Sequence, residues 1–390
     1  MSTTEVTSGP TAVRVTAIGV AAAFGLNGVA VASWFARVPG ARDALGLDAG
    51  ALGLLLLAGA AGATLAMLTG GEVTHRLGPR RTAVASTVAV SIGLVVTGVA
   101  VGAWPSAVAA AVGLFVLGYG SGTCNVAMNV EAAAVERVIG RTVMPRFHAV
   151  WSLGTVAAAG STAVAVWAGL PVTVHLVGVA VVVLVGTLIA TRSFRYGGGA
   201  VGEKSGVLAA WREPRTLLIG LLVLVLAFTE GTANDWVAVA FVDGYSFGPA
   251  AGAVVFGVFV ATMTFGRVVG TVALDRWGRV PVLVTTMLLA IGGVAMAVLG
   301  GSPLVAVAGV ALWGLGTSLG FPVGMSAAAD EKSRAAARVS VVALIGYTAF
   351  LAGPPVVGLL GDQVGVLRAL LIVPLLLVPA LALVPVLRPR

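Results

Sequence analysis

Few groups in this sequence can do chemistry, and most of them stand alone inside long apolar runs. Glu230 is one of them. A carboxylate in hydrocarbon is costly, so it has to be paired, hydrated or protonated. It therefore offers either a reversible proton site or a static hydrogen bond between helices. Asn234 lies one helical turn further along and shares its face. Asp235 ends the same run and offers a second proton-loading carboxyl or a solvated helix end. Asn125 and Asn129 repeat the four-residue spacing, with Ser121 a turn earlier, and Asn27 completes the chain's 4 asparagines. Amides with no water beside them need partners, so they line a wet interior or tie helices together. Trp313 and Tyr119, each midway along an apolar run, present rings that either stack on a flat solute or pack in a core. Trp151 is a weaker candidate of the same kind.

Other chemistries are poorly supplied. The 3 histidines, His75, His148 and His175, and the single Cys124 are too scattered for a metal site. No phosphate-binding loop and no convergent catalytic set occurs, so neither a cofactor nor an enzyme activity is expected. One cysteine allows no intrachain disulfide, and Cys124 reads as a small packing residue. His148 opens an apolar run beside Arg146, as a pH sensor or an interfacial packing residue. His175 has the same two readings. Glu131 reads as an interfacial charge, with Arg267 or Arg146 as possible partners.

The elements that position these groups follow from composition. Of 390 residues, 58% are hydrophobic and 10% charged, against about 25% charged in soluble domains. The net charge of +8 does not point to nucleic acid, because the basic residues fall in short gaps between apolar runs. Runs of about 20 residues span a bilayer as helices. They are expected near 13–36, 50–69, 82–103, 107–131, 147–168, 172–191, 216–236, 250–273, 280–300, 304–327, 339–358 and 366–385. Trp104-Pro105 and Leu170-Pro171 mark tight turns. Residues 1–12 are polar without a basic cluster and are expected to form a cytoplasmic tail, not a cleavable signal.

With the N-terminus inside, 20 Lys and Arg fall on the inner side, Arg141, Lys204, Arg267, Lys332 and Arg390 among them. The outer side receives 3: Arg37, Arg42 and Arg368. This bias predicts cytoplasmic termini. Trp34, Trp104, Trp167 and Trp236 then fall near the outer interface, and Trp211 and Trp277 near the inner one.

The longest loop, 192–215, contains Gly197, Gly198 and Gly199 and divides a six-helix bundle at 13–191 from another at 216–390. Internal similarity supports the division. His75-Arg76-Leu77-Gly78 recurs as Asp275-Arg276-Trp277-Gly278. Gly113, Gly118 and Gly120 recur as Gly309, Gly314 and Gly316. Glu136-Arg137 recurs as Glu331-Lys332. Gly316, Gly320 and Gly324, like Gly266 and Gly270, allow close helix contact. Pro354-Pro355 should kink the eleventh span and could serve as a hinge.

The loop Gly71-Glu72-Val73-Thr74-His75-Arg76-Leu77-Gly78-Pro79-Arg80-Arg81 resembles the major facilitator superfamily signature G-x-x-x-D-R-x-G-R-R, with His75 in place of its Asp. The loop after span eight resembles a second copy. Asn125-Val126-Ala127-Met128-Asn129, Phe147-His148-Ala149-Val150-Trp151-Ser152-Leu153-Gly154, Glu230-Gly231, Asp235-Trp236 and Gly353-Pro354-Pro355-Val356-Val357-Gly358 are similar to a bacterial branch near the fucose-permease-like carriers. The membrane Arg of span four and the Gly-Pro motif of span five found in proton-coupled drug antiporters are missing.

The resemblance implies an all-α membrane protein with two pseudo-symmetric six-helix bundles, multi-pass in the bacterial cytoplasmic membrane. It implies a cavity lined by spans one, four, seven and ten, where Asn27, Tyr119, Asn125, Asn129, Asn234 and Trp313 lie. Glu230 and Asp235 become the proton-coupling candidates. His75, Arg76, Asp275 and Arg276 become gating residues that latch the cytoplasmic side, the His75 latch being the weaker. The expected partners are a small polar solute, protons (sodium staying open) and the lipid bilayer, with the chain acting as a monomer. Efflux of a drug or metabolite is the alternative, favoured by a more apolar and aromatic cavity. A sensor that had lost transport would need a soluble output element, and the loops are too short to hold one.

Overall fold

The computed structural model describes residues 10–140, 143–196, 207–331 and 334–388. Arg141, Gly197 to Gly199, Lys204, Lys332, Arg390 and most of the N-terminal tail lie outside them. The described chain is helical with no strand. Its first part comprises α1 (Pro10–Phe35), α2 (Val38–Leu45), α3 (Ala49–Leu77), α4 (Pro79–Gly102), α5 (Ala107–Ile139), α6 (Met144–Trp167) and α7 (Val172–Ala190). The short α8 (Val207–Ala210) precedes α9 (Pro214–Tyr245), α10 (Pro249–Trp277), α11 (Arg279–Leu299), α12 (Pro303–Thr317) and α13 (Gly320–Ala328). Then come α14 (Ala335–Val364), α15 (Val366–Ala369) and α16 (Ile372–Ala380), with a closing 3₁₀ segment at Leu381–Leu387.

Among the described residues, 12 stretches are long and apolar enough to cross a membrane. The tenth joins α12 to α13 (Pro303–Ala328) and the last joins α15 and α16 to the 3₁₀ segment (Val366–Leu387). An even number of crossings puts both described ends on one face, here the terminal face. Large apolar side chains such as Leu304, 80% exposed, and Leu375, 72% exposed, point outward, where lipid and not water is their solvent.

Several helices outrun the apolar stretches that announce them. α3 continues past residue 69, α5 past 131 and α9 past 236. Hydropathy marks where lipid lies, but backbone hydrogen bonding carries a helix on into water. The 33 residues of α5 span about 50 Å, against about 30 Å of hydrocarbon. Two of the long helices end alike. Gly78 (φ 77°) and Gly278 (φ 79°) take a conformation open mainly to glycine, and the next helix starts at once at Pro79 or Arg279.

The repeated glycines have repeated partners. A Cβ on Gly120 would lie 2.7 Å from the Ser86 carbonyl oxygen of α4, and one on Gly316 2.6 Å from that of Thr286 in α11. Gly118 presses on Gly59 of α3, and Gly314 on Phe259 of α10. A Cβ on Gly309 would lie 2.5 Å from the carbonyl oxygen of Gly293. The two bundles are thus built on the same backbone approaches, which only glycine permits. Gly320 and Gly324 seat Leu226 and Val223 of α9.

At the terminal face, Asp330 joins Arg215 (3.2 Å) to Arg279 (2.7 Å), and Glu213 receives Arg334 (2.9 Å) and Arg338. Arg338, with Thr216 and Arg334, holds the Glu213 carboxyl at about 2, well below its usual range.

Two tryptophans depart from the interfacial placement. Trp236 is fully buried and Trp34 nearly so, whereas Trp104 and Trp167 are exposed. Trp236 is interior because α9 runs on to Tyr245, leaving residue 236 well short of the helix end.

Gly316→Val should destabilise the protein by about 1–3 kcal/mol, because the new side chain meets backbone rather than a movable side chain. Gly292→Ala, at a helical site with nothing near, should change little. Thermal unfolding in detergent compares them.

Candidate solute-binding cavity

A cavity of about 270 Å³ lies between the bundles. Asn27 and Trp34 reach it from α1, Ser121 and Asn125 from α5, Asp235 from α9, and Tyr347 and Phe350 from α14. α3 and α6 complete the wall with apolar side chains, the Thr64 hydroxyl and Trp151. Asn125 and Ser121 share a face because they are four apart in one helix. Asn129, one turn further, gives its side-chain N–H to the Asn125 side-chain oxygen (2.7 Å) and backbone oxygen (2.8 Å). Asn129 therefore supports the wall without lining it.

Other expected residues do not reach the cavity. Trp313 is fully buried and stands edge-on to Phe259, ring centres 5.7 Å apart. It is a core residue, and neither α12 nor α13 contributes to the wall. Tyr119 turns to α3, its hydroxyl accepting from Thr69 at 3.3 Å. Asn234 is half-buried and absent from the wall, because its neighbour Asp235 takes the inward direction.

The carboxyl groups sort differently from expectation. Glu230 does not line the cavity. It accepts from Arg267 of α10 at 2.9 Å, and Arg267 also reaches the Ser318 carbonyl at 3.4 Å. Arg267 is thus a membrane residue and not a loop charge, lying ten residues before the end of α10. Glu131 is buried and accepts from the backbone N–H groups of Arg195 (2.6 Å) and Tyr196 (2.8 Å), not from Arg267. Asp235 is not a helix end either. It sits ten residues before Tyr245, on the cavity wall, and makes no hydrogen bond or ion pair among the described residues.

Two of the three histidines have structural partners. His148 stands edge-on to Phe24 at 5.1 Å. His175 accepts from buried Arg37 at 3.3 Å, and Arg37 also donates to the Leu170 carbonyl at 2.9 Å. Cys124 is buried beside Thr87.

The two faces differ. Opposite the terminal face, Arg42 of α2 pairs with Asp243 of α9, with a 2.8 Å contact, across the bundles. Asp362 of α14 accepts from the N–H groups of Ala49 and Gly50, 3.0 Å each, at the start of α3. A helix N-terminus favours negative charge, so this contact is both a cap and a cross-bundle tie. Gly53 meets the Pro354 carbonyl nearby, where a Cβ would come within 2.5 Å. Sequence reasoning missed Arg42, Asp243 and Asp362. The one signal available was that charges on that face are few, so oppositely signed ones are conspicuous. On the terminal face the described ion pairs stay within a bundle. Arg76 pairs with Glu72 of its own helix at 2.6 Å, and Arg276 stacks over Trp277 at 5.6 Å. His75, Arg76, Asp275 and Arg276 are all exposed.

Two bundles with matched glycine contacts around a central cavity meet a clear counterpart among known proteins. Residues 15–331 match the family described as Major Facilitator Superfamily. The chain belongs to the major facilitator superfamily. The transporter y4wD of Sinorhizobium fredii is 32% identical over 380 residues, covering 95% of this chain and 97% of that one. The solved nucleoside transporter NupG superposes with a TM-score of 0.78 at 14% identity, covering 96% of this chain and 100% of that one. The fucose:proton symporter FucP of E. coli gives 0.64 at 14% identity, covering 96% and 98%. At such identities the structures speak for the superfamily fold alone. This superfamily member is a multi-pass transporter of the bacterial inner membrane and not an enzyme.

Removing one partner of the Glu230–Arg267 pair should leave a charge stranded. Glu230→Gln is expected to lower thermal stability by less than the about 3–5 kcal/mol of a fully buried pair, because Arg267 keeps 27% of its side-chain exposure. Glu230→Gln with Arg267→Gln should recover part of the loss. A double variant no better than the single would contradict the pairing.

Proposed function

We propose that this transporter moves a small polar solute by alternating access, coupled to protons at Asp235, with both termini in the cytoplasm. The observation that carries the reading is Asp235 itself, a carboxyl group on a cavity wall, inside the membrane, with no partner among the described residues. Such a group is stable when hydrated or protonated. Its protonation can therefore follow whichever side the cavity opens to. Glu230, already tied to Arg267, serves instead to hold α9 to α10 beneath the site.

The solute would sit against Asn27, Asn125 and Ser121, which offer donors and acceptors. A cavity of about 270 Å³ suits a solute smaller than the drug-sized ligands of typical pockets. The Arg42–Asp243 and Asp362–α3 ties close the side opposite the termini, so the chain is in an inward-facing form. In the outward-facing form those ties part, and His75, Arg76, Asp275 and Arg276 come together across the cytoplasmic side. The bias of Lys and Arg towards the terminal face supports this orientation.

Export is the second reading. It is favoured by the five aromatic side chains on the wall, Trp34, Phe35, Trp151, Tyr347 and Phe350.

A solute library screened in proteoliposomes, with and without a pH gradient, tests the proposal. A gradient should drive movement of at least one solute. Asp235→Asn should abolish the gradient's effect, and Glu230→Gln should keep proton coupling. Intact proton-driven movement in Asp235→Asn would overturn the assignment.

A further inference from the structure

Among the described residues, the cavity wall contains no Lys, Arg or His, and its one carboxyl group is unpaired. The charged and titratable groups on the elements packed around α9 do not neutralise it. On α10, Arg267 is held by Glu230. On α2, Arg42 is held by Asp243 and the neighbouring Asp43. On α14, Tyr347 shares the wall, Asp362 caps α3, and Arg338 is taken by Glu213 at the terminal face. Arg368 on α15 is exposed at the far end. α1 and α5 bring only Asn27 and Asn125 to the polar part of the wall, beside Ser121.

Rings surround the same space. Phe350 lies against Gly231, 3.0 Å from where its Cβ would be, and Gly231 is one turn before Asp235 on α9. Tyr347 lies 5.8 Å from Phe350, ring centre to ring centre. Trp34, Phe35 and Trp151 join the wall from the other bundle. Aromatic faces attract cations, most strongly where water is excluded. A negative solute would meet an uncompensated carboxylate. A neutral solute would leave that charge bare while the cavity closes around it, which is costly at low dielectric. A proton or a positively charged solute removes the cost.

We propose that the solute is an organic cation, a protonated amine, and that it and the proton compete for Asp235. This rests on the transport reading above and specifies its substrate class. The competition makes exchange obligatory. The amine leaves as R–NH3⁺, a proton takes its place on the carboxylate, and one positive charge crosses in each direction. The exchange is electroneutral, so a pH gradient drives it and a membrane potential does not. This is the chemistry of export, with protons running inward.

The test uses the full chain in detergent with 2-phenylethylamine and its neutral counterpart 2-phenylethanol as probes, read by quenching of the fluorescence of Trp34 and Trp151 and by proton release into weakly buffered solution. The amine should quench saturably and release protons. Its apparent affinity should rise about tenfold per pH unit wherever Asp235 is protonated in the free protein. The alcohol should do neither. Asp235→Asn should lose both signals, and Asp235→Glu, which keeps the charge, should retain them. That second variant guards against loss through misfolding. Absence of saturable amine binding, equal binding of the alcohol, or binding without pH dependence would overturn the proposal. Proton-driven movement of a neutral solute in proteoliposomes, with no amine binding, would sink this inference and leave the transport reading standing. A library in which no solute responds to a pH gradient would sink proton coupling itself.

Discussion

A charge inside the membrane has to be neutralised, and the interior of this protein is arranged around that requirement. Glu230 is met by Arg267, Glu131 by two backbone N–H groups, and Arg37 by His175 and a carbonyl oxygen. Each arrangement replaces water with fixed partners and so ties helices together. Asp235 is the exception, facing a cavity instead of a partner. An unpaired group among paired ones is the place where a mobile ion or solute can substitute for the missing neighbour.

The same economy of polar contacts shapes the two faces. Carboxylate-to-helix and carboxylate-to-guanidinium ties cross between the bundles at the face opposite the termini, from Asp362 to the start of α3 and from Asp243 to Arg42. At the terminal face, Glu213 and Asp330 hold their own bundle together. Each bundle is also stiffened by backbone contacts at glycines, repeated from one bundle to the other. The bundles meet through helix packing, of α3 on α14 at Gly53 and Pro354 and of α6 on α10, and through few ionic ties. An exposed ion pair contributes about 0–1 kcal/mol, so the ionic ties add little resistance to rocking.

Apolar runs were enough to count the spans, because the requirement of a bilayer for about 20 apolar residues is strict. They were a poor guide to helix ends, and this misplaced Asp235. Its run stops near 236, so the residue looked terminal, while the helix goes on through Asp243 to Tyr245. Asn27 and Asn125 were readable as cavity residues. Asn234 and Trp313 were not, because one residue of helix turns a side chain by about 100°, and only neighbouring helices fix which direction is inward. The Glu230–Arg267 pair was hidden for a similar reason. Arg267 was weighed as a partner for Glu131 and not for Glu230, which it in fact reaches.

The most direct test is an infrared pH titration of the purified protein, following the C=O stretch that only a protonated carboxyl group gives. A titrating C=O band should be present in the wild type, vanish in Asp235→Asn and persist in Glu230→Gln. A band unchanged by Asp235→Asn, or lost in Glu230→Gln, would contradict the assignment of the mobile proton to Asp235.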